Sequence, residues 1–398
     1  MKRFGYIALF LLLASPAWAA KKLTVQQLKD MITSMHQANK SDADVAADLE
    51  NVELTEELTQ NDLNSLAPAV PGQLTTEQLF VLEIRSAALP PPASEIPAAP
   101  APDAATQKAI LDKAIDYATK TYAQLPKLTA TKAVRRFQDN PQFTRGAVGS
   151  HSTAIVAGPT PPIRYTATSN PTVTVVNGIE QNPLATDKTS WGDNGQIALI
   201  GQGPALNTIL PDAQAAGKLN WLRWQTISGH QFAVFSFGVD KKKTHYAVNY
   251  CCFPEGEDAA DQDLNLRGSG TIGSATAGAT NASQQPGGNA PGNYMPNAKW
   301  KPFKAVVPYH GEIFVDPSTG IIVRLITEAE FKGGEPVKVE NQIIDFGEQA
   351  VGGKQLIVPV RSIIDTLEQP YPDSPNGRTV MRHTLFTAAY KDYQAAGS

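Results

Sequence analysis

Cysteine is nearly absent from this 398-residue chain: the two it has, Cys251 and Cys252, are neighbours. A disulfide framework needs several spaced cysteines, so none staples this fold. Adjacent residues on a strand point to opposite faces, so a bond between these two would distort the backbone. Two free thiols, a strained vicinal disulfide and an intermolecular bridge all stay open. Two ligands alone make a poor metal site. The six histidines, His36, His151, His230, His245, His310 and His383, are scattered. No H-E-x-x-H, G-x-S-x-G or Walker lysine motif occurs. A concentrated basic surface is missing too, because the net charge is −4. That argues against nucleic acid as a partner. The cluster Lys241-Lys242-Lys243 follows Asp240 between two strand-like runs and reads as a solvated hairpin turn. Beyond the first twenty residues no run is apolar and long enough to span a bilayer, so no transmembrane segment is expected after the leader is removed.

What is present begins with that leader. Lys2 and Arg3 precede the apolar run Ile7 to Ala14, followed by Ser15, Pro16 and Ala17-Trp18-Ala19. This is the order of a secretory signal, with residues 1–19 removed by cleavage after Ala19. No cysteine lies near the cleavage point and no twin-arginine pair is present, which points to the general secretory route and to the periplasm or the medium. Removing Lys2 and Arg3 leaves 32 basic against 38 acidic residues, or −6. Apolar residues make up 42 %, enough for a substantial core.

Residues 20–89 read as a small helical domain. Leu23, Leu28, Met31, Ile32 and Met35 recur at helical spacing, and Thr24 with Gln27 forms a capping box. The Leu-Thr phrase returns at Leu54-Thr55 and Leu74-Thr75, predicting two further helix starts, and Ser41 with Asp42 and Asp44 predicts another. Residues 90–102 hold Pro90, Pro91, Pro92, Pro97, Pro100 and Pro102, an extended inter-domain linker. Asp103 then caps a helix carrying Ile110, Leu111, Ala114, Ile115 and Ala118.

From about Ala130 the pattern turns to strands. Ala133 to Phe137, Ile163 to Thr168 and Thr172 to Val176 are strand-like, and Asn177-Gly178 marks a hairpin. Asn207 to Ala216 reads as a short helix. Trp221 to Ile227, Gln231 to Val239 and His245 to Phe253 read as a three-stranded antiparallel meander. Residues 254–299 are rich in Gly, Ser, Ala, Asn and Pro, and about 268–293 is expected to be disordered. Strand signals resume at Phe303 to Val307, Gly311 to Asp316, Ile321 to Thr327, Val337 to Gly347, Gln355 to Ser362 and Val380 to Tyr393. The expected fold class is α+β: a small all-helical N-terminal domain, a Pro-rich linker, and a larger, mainly antiparallel β domain over 103–398, a curved sheet or half-barrel.

Candidate chemistry is sparse. Gly268-Ser269-Gly270-Thr271-Ile272-Gly273 fits G-x-G-x-x-G but neither follows a strand nor opens a helix, so no cofactor is expected. His310-Gly311-Glu312 is read as incidental. Asp316 and Asp345 are expected to cap turns or bind strand ends. Asn281-Ala282-Ser283 is a glycosylation triplet only in a suitable eukaryotic pathway. The densest aromatic patch is Trp221, Trp224, Phe232, Phe235 and Phe237. It reads either as sheet core or as the lining of an apolar cavity inside a curved sheet.

Leu23-Thr24-Val25-Gln26-Gln27-Leu28, Leu54-Thr55-Glu56-Glu57-Leu58, Pro71-Gly72 and Leu125-Pro126-Lys127-Leu128 leading to Arg135-Arg136-Phe137 resemble a group of secreted acidobacterial proteins without assigned activity. Trp224 to Val239, Gly311 to Asp316 and Thr319 to Arg324 resemble, more loosely, the periplasmic lipoprotein-carrier and sigma-regulator sensor fold. That resemblance implies an incomplete antiparallel barrel around apolar helices, able to hold acyl chains. It transfers no functional residue. The expectation is therefore an exported, non-enzymatic binder of an apolar or lipidated ligand. The alternatives are an envelope module that docks a protein partner and an enzyme of unrecognised type.

Overall fold

The computed structural model describes residues 21–139, 143–148, 152–157, 163–181, 198–199, 205–255, 299–369 and 381–396. The leader, the 268–293 insertion with its glycine motif and the 281–283 triplet lie outside these residues. So do the side chains of Cys251 and Cys252, whose backbone sits in a strand.

The N-terminal segment carries four helices, α1 (Val25–Gln37), α2 (Asp42–Leu49), α3 (Gln60–Leu66) and α4 (Gln73–Ser86), with a parallel strand pair, β1 (Lys21–Leu23) and β2 (Val52–Leu54). The capping box at Thr24 and the Ser41 cap form as expected. Leu54-Thr55 does not open a helix: Leu54 ends β2, and α3 starts after Thr59, whose capping box uses Asp62. The helix pattern failed there because Val52 and Leu54 are buried by pairing with Lys21–Leu23, a contact 31 residues away. At the start of α4, Gly72 offers no side-chain cap. The Asp42 carboxylate of α2 accepts instead from Leu74 N (3.0 Å), Thr75 N (2.9 Å) and Thr75 Oγ1 (2.7 Å). A Cβ on Gly72 would lie 2.6 Å from that carboxylate, so only glycine lets the two helices approach so closely.

After α5 (Ala104–Asp116) the helix widens into a π turn over Tyr117–Thr121 and ends in a 3-10 turn before Leu125. The strands that follow are β3 (Leu128–Gln138), β4 (Phe143–Val148), β5 (Ser152–Ala157), β6 (Arg164–Ser169), β7 (Thr172–Val176), β8 (Ile179–Gln181) and β9 (Ala198–Leu199). Helix α6 (Leu206–Ala216) precedes β10 (Leu219–Ile227), β11 (His230–Val239), β12 (Ala247–Glu255), β13 (Lys299–Val306), β14 (Tyr309–Val315), β15 (Ile322–Ala329), β16 (Val337–Val351), β17 (Lys354–Glu368) and β18 (Arg382–Ala395).

The main sheet is antiparallel throughout, in the order β10-β11-β14-β15-β16-β17-β18-β3-β7-β8, with β6 also on β3. The α+β expectation holds, and Asn177-Gly178 forms the hairpin, both residues at positive φ (52° and 76°). The expected three-stranded meander does not form. After Val239 the lysine turn leads the chain off the main sheet; β12 pairs with β13 and β9, and β14 takes its place beside β11. The lysines are exposed as expected, but their turn joins strands of different sheets.

The sheet has two covered faces. On the inner face α5, the π turn and α6 share one apolar cluster with residues from β3, β7, β11, β12, β14, β15, β16, β17 and β18. Flat, the span from β11 to β7 would be seven strand spacings, roughly 34 Å, while α5 is only about 20 Å long. Yet α6 packs on β11, Tyr122 stands edge-on to Phe346 of β16 (5.6 Å), and its hydroxyl donates to Gly178 O at the β7–β8 turn (2.9 Å). The sheet therefore curls around these helices.

The outer face is covered by the N-terminal segment. Val81, Ile84 and Ala87 share a cluster with Phe137, Val234, Phe314, Ile326, Ile343, Ile363 and Leu385. From Phe314 of that cluster a charged row continues across the neighbouring strands, Arg324, Asp345 and Arg361. Arg324 donates to Asp345 (2.6 Å) and to Glu57 of the N-terminal segment (2.7 Å), and Arg361 donates to Glu83 of α4. The proline-rich stretch lies along edge strand β10: Trp224 Nε1 donates to Pro100 O (3.0 Å), and Gln225 Nε2 to Glu95 (3.4 Å). An edge strand covered this way is less open to pairing with another chain.

Candidate functional site

The strand period divides the five aromatic candidates. Phe235 and Phe237 point to the inner face and are 0 % and 4 % exposed. Phe232 packs with the outer-face cluster. Trp221 and Trp224 fall on one side because a bulge separates them; their rings lie 4.8 Å apart and Trp221 meets Phe235 edge-on at 5.4 Å. Four of the five thus pack into one core patch closed by α6, Tyr309 and Pro100, and Phe232 does not join them. A one-residue step on a strand moves a side chain to the other face, which separates Phe232 from Phe235.

The inner face changes character along its strands. Around α5 and α6 it is apolar. Toward the starts of β16 and β18 and the ends of β3 and β17 it becomes polar while staying buried. Three cross-strand rows build this region: Arg136–Phe386–Ile364–Gln342, then Gln138–Thr384–Thr366–Glu340, then Arg382–Glu368. Alternate residues share a face, so all three rows point the same way. Arg136, Gln138, Glu340, Gln342 and Glu368 are each 5 % exposed or less.

Part of this polarity is paired. Tyr246 Oη donates to Glu340 Oε1 (2.6 Å), Thr384 Oγ1 to Glu368 Oε1 (2.9 Å), Arg136 Nη2 to Gln138 Oε1 (2.9 Å) and Tyr250 Oη to Thr366 Oγ1 (3.4 Å). Arg136 also lies over the Phe386 ring, 5.2 Å from its centre. Part is not paired: Arg136 Nη1, Gln138 Nε2, both amide atoms of Gln342, Glu340 Oε2 and Glu368 Oε2 are buried without a hydrogen-bond partner. Each such atom costs about 1–3 kcal/mol, and buried polar atoms are normally satisfied.

Burial sets the electrostatics. It pushes the Glu340 and Glu368 carboxyls up to about 7, against the hydroxyls that hold Glu340 and the Arg382 and Arg136 guanidiniums that favour the Glu368 anion. It lowers Arg136 to about 10, with Glu368 acting in the opposite direction. Tyr246 and Tyr250 are raised, again chiefly by burial. Chemically the region can both donate and accept hydrogen bonds, and its two carboxyls change protonation near neutrality.

The remaining sequence candidates sit elsewhere. Asp316 Oδ1 closes its turn by accepting from Ser318 N (2.7 Å) and Ser318 Oγ (2.6 Å). His310 lies against Glu328 and Glu330, while Glu312, on the same face of the strand, pairs with Arg223, so the two have separate partners. Among the described residues no group of His, Cys, Asp or Glu is placed to hold a metal ion, and no helix is long and apolar enough to cross a membrane. The polar region was not singled out from the sequence. Its signal is a polar residue at every second position near four strand ends, which reads equally well as a solvated face.

No protein-family model matches the chain, and no curated protein or solved structure does either.

Proposed function

We propose that the chain is an exported, non-enzymatic binding protein of the cell envelope whose ligand sits at the polar end of the curled sheet's inner face. The observation that carries this is the set of buried, unpartnered donors and acceptors on Arg136, Gln138, Glu340, Gln342 and Glu368. A fold tolerates such groups where something else completes them. The apolar end of the same face supports a wholly apolar or lipidated ligand less well. Its aromatic side chains are packed against α5, α6 and Pro100. The helical segment acts in this reading as a fixed cover on the outer face.

The test is native mass spectrometry of the mature chain, purified gently from the periplasm of an expression host. The expected result is a co-purifying small molecule that Gln342→Leu releases. A high-resolution structure of the same preparation showing only ordered water among these residues would overturn the proposal. A second reading, acid–base catalysis, is favoured by one feature: two buried carboxyls that titrate near neutrality. Turnover of the released molecule by the intact chain, abolished in Glu340→Gln or Glu368→Gln, would establish it in place of simple binding.

A further inference from the structure

Resting on that binding-site reading, we propose that the ligand is a neutral, polyhydroxylated molecule, an oligosaccharide rather than an ion or a lipid.

Charge is the first ground. The buried guanidiniums of the three rows, Arg136 and Arg382, are met by the buried carboxyls Glu340 and Glu368, and the buried Asp139 carboxyl beside Arg382 adds a third. Glu368 acts on both arginines. A bound anion would compete with the carboxyls already there, and a bound cation with the guanidiniums. An uncharged ligand disturbs neither.

The unpartnered atoms are the second ground. Three are donors (Arg136 Nη1, Gln138 Nε2, Gln342 Nε2) and three are acceptors (Gln342 Oε1, Glu340 Oε2, Glu368 Oε2). A hydroxyl both donates and accepts, so a row of ligand hydroxyls can satisfy such a mixed set, whereas an acyl chain satisfies none of it. The Gln342 amide, with both its atoms unpartnered, can engage two neighbouring hydroxyls at once, as a vicinal diol offers.

Shape is the third. The rows run from β16 through β17 and β18 to β3, three strand spacings or roughly 14 Å. That is an extent of several linked rings rather than one. In the middle lie Phe386, half-buried, and Ile364, cross-strand neighbours in the Arg136–Gln342 row. Neither belongs to the apolar clusters of the core. They supply an apolar floor for the C–H face of a sugar ring beside polar side chains for its hydroxyls.

The test is isothermal titration calorimetry of the full mature chain, with matched tetrasaccharides as probes. The neutral ones are cellotetraose, maltotetraose and chitotetraose; the charged ones are the chitosan tetramer and tetragalacturonate. The expected result is binding of at least one neutral tetramer, at least tenfold tighter than either charged one. Gln342→Met and Gln138→Met, shape-conserving changes at two separate strands, should each weaken it at least tenfold while the thermal transition stays cooperative. Equal or tighter binding of a charged tetramer, or no binding of any neutral one, overturns the ligand class. If a charged tetramer binds and Gln342→Met abolishes that binding, the class fails but the binding site stands. If neutral binding is unmoved by both variants, both fail.

Discussion

Arg324 shows how much one residue can be asked to hold. Its guanidinium reaches Asp345 on the next strand and Glu57 on the N-terminal segment, and it lies 5.7 Å from the Phe314 ring. Burial alone would raise Glu57 and lower Arg324; their mutual attraction, with Asp345, keeps Arg324 charged. Replacing Arg324 by Leu leaves Glu57 buried and unpaired, so a loss of about 3–5 kcal/mol is expected in urea unfolding. A loss below about 1 kcal/mol, the size of an exposed pair, would show that water reaches this seam. Glu340 gives a pH signature. Its folded carboxyl is raised from 4.5 to about 7, so the folded chain holds a proton that the unfolded chain releases. Its contribution is fully present below pH 4.5 and is lost as pH rises to about 7. Glu340→Gln keeps an acceptor for Tyr246 and removes the titration. Relative to the parent, the variant should gain roughly 3 kcal/mol of stability between pH 4.5 and pH 7.5. Urea melts across that range check it, and a constant difference between the two proteins would refute the buried, titrating carboxyl.

At the scale of elements, connections between neighbours decide more than intrinsic preference does. Helix α4 starts at a glycine and takes its cap from another helix, through Asp42. Asp42→Ala should therefore cost about 1–2 kcal/mol, as for a local N-cap, measurable as a fall in the thermal midpoint. Asp44→Ala, on the same helix but away from α4, should cost clearly less. Strand β10 depends on its strap in a similar way. Trp224→Phe keeps the ring contact with Trp221 but removes the donor to Pro100 O. A loss of about 1 kcal/mol is expected, with faster proteolytic cleavage within 90–102. Unchanged cleavage would mean that the strap is held by its other contacts.

For the molecule as a whole, the outer-face cluster joins residues from α4 with strands β11, β14, β15, β16, β17, β18 and β3. The seam through Glu57 and Glu83 ties the same surfaces. The chain should therefore unfold in one calorimetric transition, with the N-terminal segment and the sheet melting together. Two separated transitions would mean that residues 21–89 fold on their own. Much of this architecture was legible. Thr24, Ser41 and Asp103 cap helices as their spacing indicated, Asn177-Gly178 turns a hairpin, and the strand runs from Val337 onward pair in sequence order. The pairing of β11 with β14 was not, because the partner lies 70 or more residues along and local pattern carries no information on it.

The elements and their local ends can be read from the chain alone, because capping, turn chemistry and side-chain period act over a few residues. Strand runs and turn signals also indicated that the β part is antiparallel. Which face of each strand lies inside was set by long-range packing. Period two separates the faces without naming them. Thus Glu340, Gln342, Thr366 and Glu368, which alternate like a solvated surface, became the buried polar lining of a curled sheet. Four of the five aromatics, for which a cavity lining was the alternative to sheet core, became packed core on the inner face.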